Sequence, residues 1–160
     1  MPTDVTETQR FASATLPDLA GFKGLDETAT AKVPELAEDV IRPAYLAHIV
    51  LLTNRLEAMR QWWRTVLGGA ATFSSGQMEF LTFDDEHHRV AIFERGALKE
   101  KAAEPDTTGL HHVAFTYRSL ADLVATYKRL QRHRILPMRT IDHGVTVSSC
   151  YLDPDNNRFE

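Results

Sequence analysis

The chain is 160 residues long, 43% hydrophobic and carries a formal charge of −4. That length supports one well-packed domain or two small modules sharing a core, and a mildly acidic chain without a basic stripe argues against a nucleic-acid partner. No apolar run reaches the roughly 20 residues of a membrane span, residues 1–10 are too polar for a secretory signal, and the lone Cys150 has no internal disulfide partner, so a soluble cytoplasmic protein is expected.

In chain order, residues 1–43 read as an N-terminal extension. Residues 3–15 are polar and aperiodic, and Pro17, Gly21 and Gly24 punctuate the stretch after them. Residues 34–41 support one or two helical turns, ended by Pro43, which restricts the residue before it to extended geometry. A first module spans residues 44–94. Residues 45–53 form an apolar run of strand length with His48 in its middle. Asn54 and Glu57 then open a helix whose apolar face is Leu56, Met59, Trp63 and Val66, and Gly68-Gly69 stops it. Trp63 lies on that face, so core packing is its reading. Strands come next near residues 70–73, 78–83 and 89–93, divided by Ser74-Ser75-Gly76 and Asp84-Asp85-Glu86.

Residues 95–108 are charged, contain Gly96 and Pro105, and read as a linker. The second module, residues 109–160, repeats the plan. A strand is expected over 112–117. A capping box at Ser119-Leu120-Ala121-Asp122 opens a helix with Leu120, Leu123, Val124, Tyr127 and Leu130 inward. Strands near 136–141, 145–152 and from 158 onward complete it, with Asp153-Pro154-Asp155-Asn156-Asn157 as the turn; Cys150 reads as a small hydrophobe in a strand. The two copies are in gapless register over their first halves: 64 residues separate His48 from His112, and the same offset relates Leu56 to Leu120, Trp63 to Tyr127 and Val66 to Leu130. The expected fold class is therefore α+β, with two tandem β-α-β-β-β modules.

On Ala47-His48-Ile49-Val50-Leu51, His111-His112-Val113-Ala114-Phe115 and the segment from Tyr151 to Glu160, the chain resembles the vicinal oxygen chelate superfamily over residues 47–160. The resemblance implies a mixed curved sheet around a metal site, with a histidine ligand on the first strand of a module and a carboxylate on its last: His48, His112 and Glu160. Two imidazoles and one carboxylate suit divalent iron, occupying one face and leaving positions for substrate and dioxygen; manganese or zinc is an alternative ion. A lone histidine in an apolar strand is usually a core residue, but two at the same repeat position are better explained as ligands. Strand alternation turns His111 to the opposite face and leaves it out of the set.

Further residues resemble the type I extradiol ring-cleavage dioxygenases of that superfamily. His87-His88-Arg89-Val90-Ala91-Ile92 is similar to their histidine-pair strand, which places His88 beside bound oxygen as acid/base. His143, Tyr151 and Glu160 keep the order of their signature, with His143 and Tyr151 bonding substrate oxygens. The resemblance implies cleavage of a catechol-type aromatic diol by dioxygen, chemistry that needs acids and bases working near neutral pH. The spacing from Tyr151 to Glu160 is about one residue tighter than that signature, Cys150 replaces an aliphatic residue, and Asn156 replaces a glycine, which asparagine's tolerance of left-handed geometry permits. Aligning His88-Arg89-Val90-Ala91 with Asn157-Arg158-Phe159-Glu160 puts Ala91 where a fourth, glyoxalase-type ligand would stand, with Glu94 as its rival. The alternatives are a metal-dependent isomerase, epimerase or lyase, and a small-molecule binding protein of the same fold. A homo-oligomer is expected, with modules pairing within one chain or across a dimer.

Overall fold

The computed structural model describes residues 41–103, 108–144 and 146–160. The expected extension lies outside these but for its last three residues, and so do residues 104–107 of the expected linker and position 145. Pro43–Glu160 forms one compact unit, and among the described residues no helix is long and apolar enough to cross a membrane.

The first copy has the expected plan: β1 (Ile49–Thr53), α1 (Leu56–Leu67), β2 (Ala70–Ser74), β3 (Met78–Thr82) and β4 (Val90–Glu94). The strands lie in the order β1-β4-β3-β2, with β1 parallel to β4 and the other pairs antiparallel, so the sheet is mixed. β1 is shorter than the apolar run that contains it, because residues 45–48 stay exposed. Helix α1 buries Leu56, Met59, Trp63 and Val66, the face its spacing marks. It ends at Gly68, whose left-handed φ of 64° lets its N–H reach the Arg64 carbonyl at 3.0 Å. Gly69 is required for space, since a Cβ there would lie 2.6 Å from the Thr82 carbonyl oxygen. At its start, Asn54 does not cap the helix. The Glu94 carboxylate, arriving on the end of β4, accepts the Leu56 N–H at 2.9 Å instead, and a negative group suits that end of the helix dipole.

Under α1, Met59, Trp63, Leu81, Val90 and Ile92 are fully buried. Glu79 is buried with them on β3, its oxygens 2.6 Å from Arg64 Nε and Nη2, 3.0 Å from Arg60 Nε and 3.0 Å from Ser74 Oγ. A buried carboxylate is tolerated when its charge and lone pairs are answered in this way.

The second copy contains α2 (Leu120–Arg132), β5 (Arg139–Asp142), β6 (Val147–Leu152) and β7 (Arg158–Phe159), with β5-β6-β7 antiparallel. Ser119 caps α2 by accepting the Asp122 N–H at 3.1 Å. Two expectations are corrected here. Residues 112–117 are not a strand: the pairing reduces to a parallel bridge between Val113 and Phe159, supported by Val113 N to Arg158 O (3.2 Å), Glu160 N to Val113 O (2.9 Å) and Phe115 N to Glu160 O (2.8 Å). Of the five residues expected inward on α2, only Leu130 is buried, while Leu120 and Val124 are 60% and 42% exposed. The two findings share a cause, because without a continuous first strand the helix has no complete sheet to cover.

The copies meet through Phe159, whose ring lies edge-on to Trp63 with centroids 4.2 Å apart. The turn after β6 is fastened to the first copy as well. Asp153 is buried and accepts the N–H groups of Asp155 and Asn157, the Asn157 amide and the Trp63 indole N–H. Asn156 takes a left-handed φ of 61°. Arg55 pairs with Asp155 at 3.0 Å and Glu100 at 2.6 Å, and Asn156 Nδ2 donates to the Lys101 carbonyl at 2.7 Å.

Candidate metal centre

His48 stands on the exposed lead-in to β1. Arg89, just before β4, holds that lead-in by donating to the carbonyls of Leu46 (2.9 Å) and Ala47 (3.0 Å), while the Ile49 N–H bonds the Arg89 carbonyl. The His48 ring therefore meets the lead-in to β4, with its centroid 4.4 Å from that of His88. His88 stacks on Phe80 at 4.5 Å, and its Nδ1 lies 2.8 Å from Nδ1 of His87. Burial, then the charges of His48 and His87, lowers the His88 imidazole below its ordinary value, so the neutral ring is favoured.

His112 and Glu160 form the second pair, with His112 Nε2 3.5 Å from Glu160 Oε2. Contrary to the alternation expected of a strand, His111 is not turned away: its Nδ1 lies 2.7 Å from Nδ1 of His112 and its Nε2 2.9 Å from Arg158 Nη1. The alternation fails because residues 111–112 are not in a regular strand. With its Nδ1 engaged by His111, His112 offers Nε2 to Glu160. Ser148 on β6 donates to the other carboxylate oxygen, Glu160 Oε1, at 2.6 Å. Sequence reading missed Ser148. Its signal was a hydroxyl two residues from Cys150, which the β6–β7 register sets across from Glu160.

The ladders fix how the copies correspond. Ile49 pairs with Val90 in the first and Val113 with Phe159 in the second, so the position of Glu160 is held in the first copy by Ala91, which is buried. Glu94 is occupied at the start of α1.

Tyr151 is buried in the core with Val66 and Leu130, and burial raises its phenol above the ordinary value, with a hydrogen bond to Ser149 pulling the other way. It shares with Glu160 and Ser148 a cavity of about 480 Å³ walled by Phe115, Leu120 and Leu123 among others. His143 is exposed in the turn between β5 and β6, where its N–H donates to the Thr146 carbonyl at 2.8 Å. The structure thus brings His48 to His88, and His112 to Glu160, but does not bring the two pairs together: among the described residues no three His, Cys, Asp or Glu side chains converge on one point.

Divalent ions of this kind bind imidazole nitrogen and carboxylate oxygen at about 2.1 Å, which sets two neighbouring donors roughly 3 Å apart. The His112–Glu160 separation of 3.5 Å fits such a shared ion, and a hollow of about 10 Å³ lies beside the pair, bordered by Cys150 and Arg158. His48 fits in kind.

A family model described as the glyoxalase/bleomycin resistance protein/dioxygenase superfamily matches residues 45–160. The chain is 48% identical over 117 residues to biphenyl-2,3-diol 1,2-dioxygenase 3 of Rhodococcus globerulus, a match covering 72% of this chain and 60% of that protein. Identity is 44% over 114 residues to biphenyl-2,3-diol 1,2-dioxygenase 2 of the same organism, covering 71% and 60%. The chain thus spans about three-fifths of the length of these relatives. Among solved structures, the genomically encoded fosfomycin resistance protein of Listeria monocytogenes superposes with a TM-score of 0.56 at 18% identity, covering 74% of this chain and 91% of that one; at that identity the likeness concerns the fold.

Proposed function

The chain belongs to the glyoxalase/bleomycin resistance protein/dioxygenase superfamily, and on that premise we propose that it is a metal-dependent extradiol dioxygenase acting on a catechol-type aromatic diol, with His48, His112 and Glu160 as ligands of a divalent ion, iron(II) first. The observation that carries this reading is the asymmetry between the copies. The equivalent ladders give each copy a histidine at the same place, but only the second has a carboxylate at the end of its last strand, Glu160 against Ala91. Two imidazoles and one carboxylate leave a face open to a bidentate substrate and dioxygen. The relatives named as biphenyl-2,3-diol dioxygenases support a diol on an aryl-substituted ring.

A bound iron(II) would supply Lewis acidity and electron exchange with dioxygen. The residues of the chain supply the rest. Glu160 presents one oxygen beside His112 Nε2. His88, favoured neutral, can take a proton from the diol or hold one for the oxygen side. Tyr151, its phenol kept protonated, can donate to a substrate oxygen at the wall of the cavity it shares with Glu160. His143 is proposed for the same side of the substrate. The lyase or isomerase alternative needs a carboxylate base or a fourth ligand, and the candidate for it, Glu94, is engaged in capping α1.

The test is dioxygen consumption after anaerobic loading with iron(II), using biphenyl-2,3-diol and simpler catechols. Uptake with a yellow ring-opened product, lost in His48→Ala, His112→Ala and Glu160→Ala, is the expected result. Tight zinc or nickel binding with no oxygen uptake would overturn it in favour of a lyase or isomerase.

A further inference from the structure

We propose that Ser148 is a positioning residue for Glu160, fixing the carboxylate so that a single oxygen is presented to the ion. This inference rests on the proposed metal site.

Glu160 comes directly after β7. Its main chain is tied to the Val113–Phe115 segment, its N–H to the Val113 carbonyl and its carbonyl to the Phe115 N–H. The side chain has an anchor of its own. Cross-strand neighbours on one face supply it: β6 pairs Tyr151 with Phe159, which sets Cys150 opposite Glu160 and Ser148 one pleat further along the same face. Ser148 is 5% exposed, and its hydroxyl donates to Oε1 at 2.6 Å, the length of a strong bond to an ionised acceptor. The two carboxylate oxygens are thereby distinguished. Oε1 is occupied by a proton donor, whereas Oε2 faces His112 Nε2 at 3.5 Å and, among the described residues, has only the Cys150 thiol as donor, a weak one at 4.0 Å.

The consequence is chemical. A carboxylate free to rotate can bind an ion through both oxygens and fill an extra coordination position; one with Oε1 held by a hydroxyl binds through Oε2 alone. Single-oxygen binding preserves the open positions that a bidentate diol and dioxygen both need. Groups that orient metal ligands in this way are worth roughly 10- to 100-fold in metal affinity.

Cobalt(II) is the probe, because its visible spectrum reports coordination number and its binding is read without turnover. Ser148→Thr retains a hydroxyl and Ser148→Val matches Thr in shape without one, so their comparison isolates the hydroxyl even if any change at this buried site costs stability. Wild type, both variants and His112→Ala are titrated with cobalt(II), each checked for folding by circular dichroism. The expected result is near-wild-type affinity and spectrum for Thr, and for Val an affinity roughly 10- to 100-fold lower with a spectrum altered toward higher coordination. Equal affinity and spectrum in Thr and Val would overturn the role of Ser148 while leaving the metal site intact. Wild type binding cobalt no better than His112→Ala would instead sink the metal-site reading, and the Ser148 role with it.

Discussion

At the scale of single residues, Asp153, which is not one of the candidate ligands, accepts from two backbone and two side-chain donors. Its Oδ1 accepts the Asp155 and Asn157 N–H groups and its Oδ2 the Trp63 indole and Asn157 amide. Asp153→Asn would set an amide donor against those donors, with an expected cost of about 1–3 kcal/mol, measurable by urea unfolding. The pH dependence has a definite sign. Burial, opposed by the hydrogen bonds from Asn157, Asp155 and Trp63, raises the Asp153 carboxyl above its ordinary value. The folded protein therefore holds that proton more tightly than the unfolded chain, and the stability this contributes is full below the unfolded value and lost as pH rises through the folded one. Wild type should gain stability relative to Asp153→Asn as pH falls through that window; a gap that stays constant with pH would refute the assignment.

Among the elements, the two helices differ in what holds them. α1 has a buried face, a left-handed glycine stop and a carboxylate from β4 at its start. Glu94→Ala should cost about 1 kcal/mol, as loss of a helix cap does, with no effect on cobalt(II) affinity; a fall in that affinity would mean that Glu94 is a ligand after all. Gly68→Ala, forced to a φ of 64°, should cost about 1 kcal/mol in thermal unfolding. α2 has its Ser119 cap but buries Leu130 alone. Its amides should therefore exchange with deuterium faster than those of α1, because local opening exposes little apolar surface that is not exposed already. Equal protection in the two helices would show that the apolar face of α2 is covered in solution.

For the whole molecule, the decisive joint is Phe159 against Trp63, since it ties the last strand of the second copy to the helix of the first. Phe159→Ala should cost about 3–5 kcal/mol and also weaken metal binding, because Glu160 is the next residue and shares its backbone bonds with Val113 and Phe115. A variant destabilised to that extent but binding cobalt(II) as wild type does would show that the ligand is held independently of the joint.

The two copies, the buried face and glycine stop of α1, the Ser119 cap of α2, the three strands after α1, and the histidine and carboxylate types that suit a divalent ion are legible in the residue order alone. These are local properties: a period of 3.6 selects Leu56, Met59, Trp63 and Val66, and a glycine at the point of reversal needs no knowledge of distant chain. The folded chain adds that residues 112–117 form a bridge and not a strand, that His111 reaches His112, that Glu94 caps a helix, that His48 meets His88, and that Ser148 bonds the Glu160 carboxylate. Each of these depends on register between segments far apart in the chain and on the rotamer a side chain takes once its neighbours are in place, and no spacing along one strand or helix contains that information.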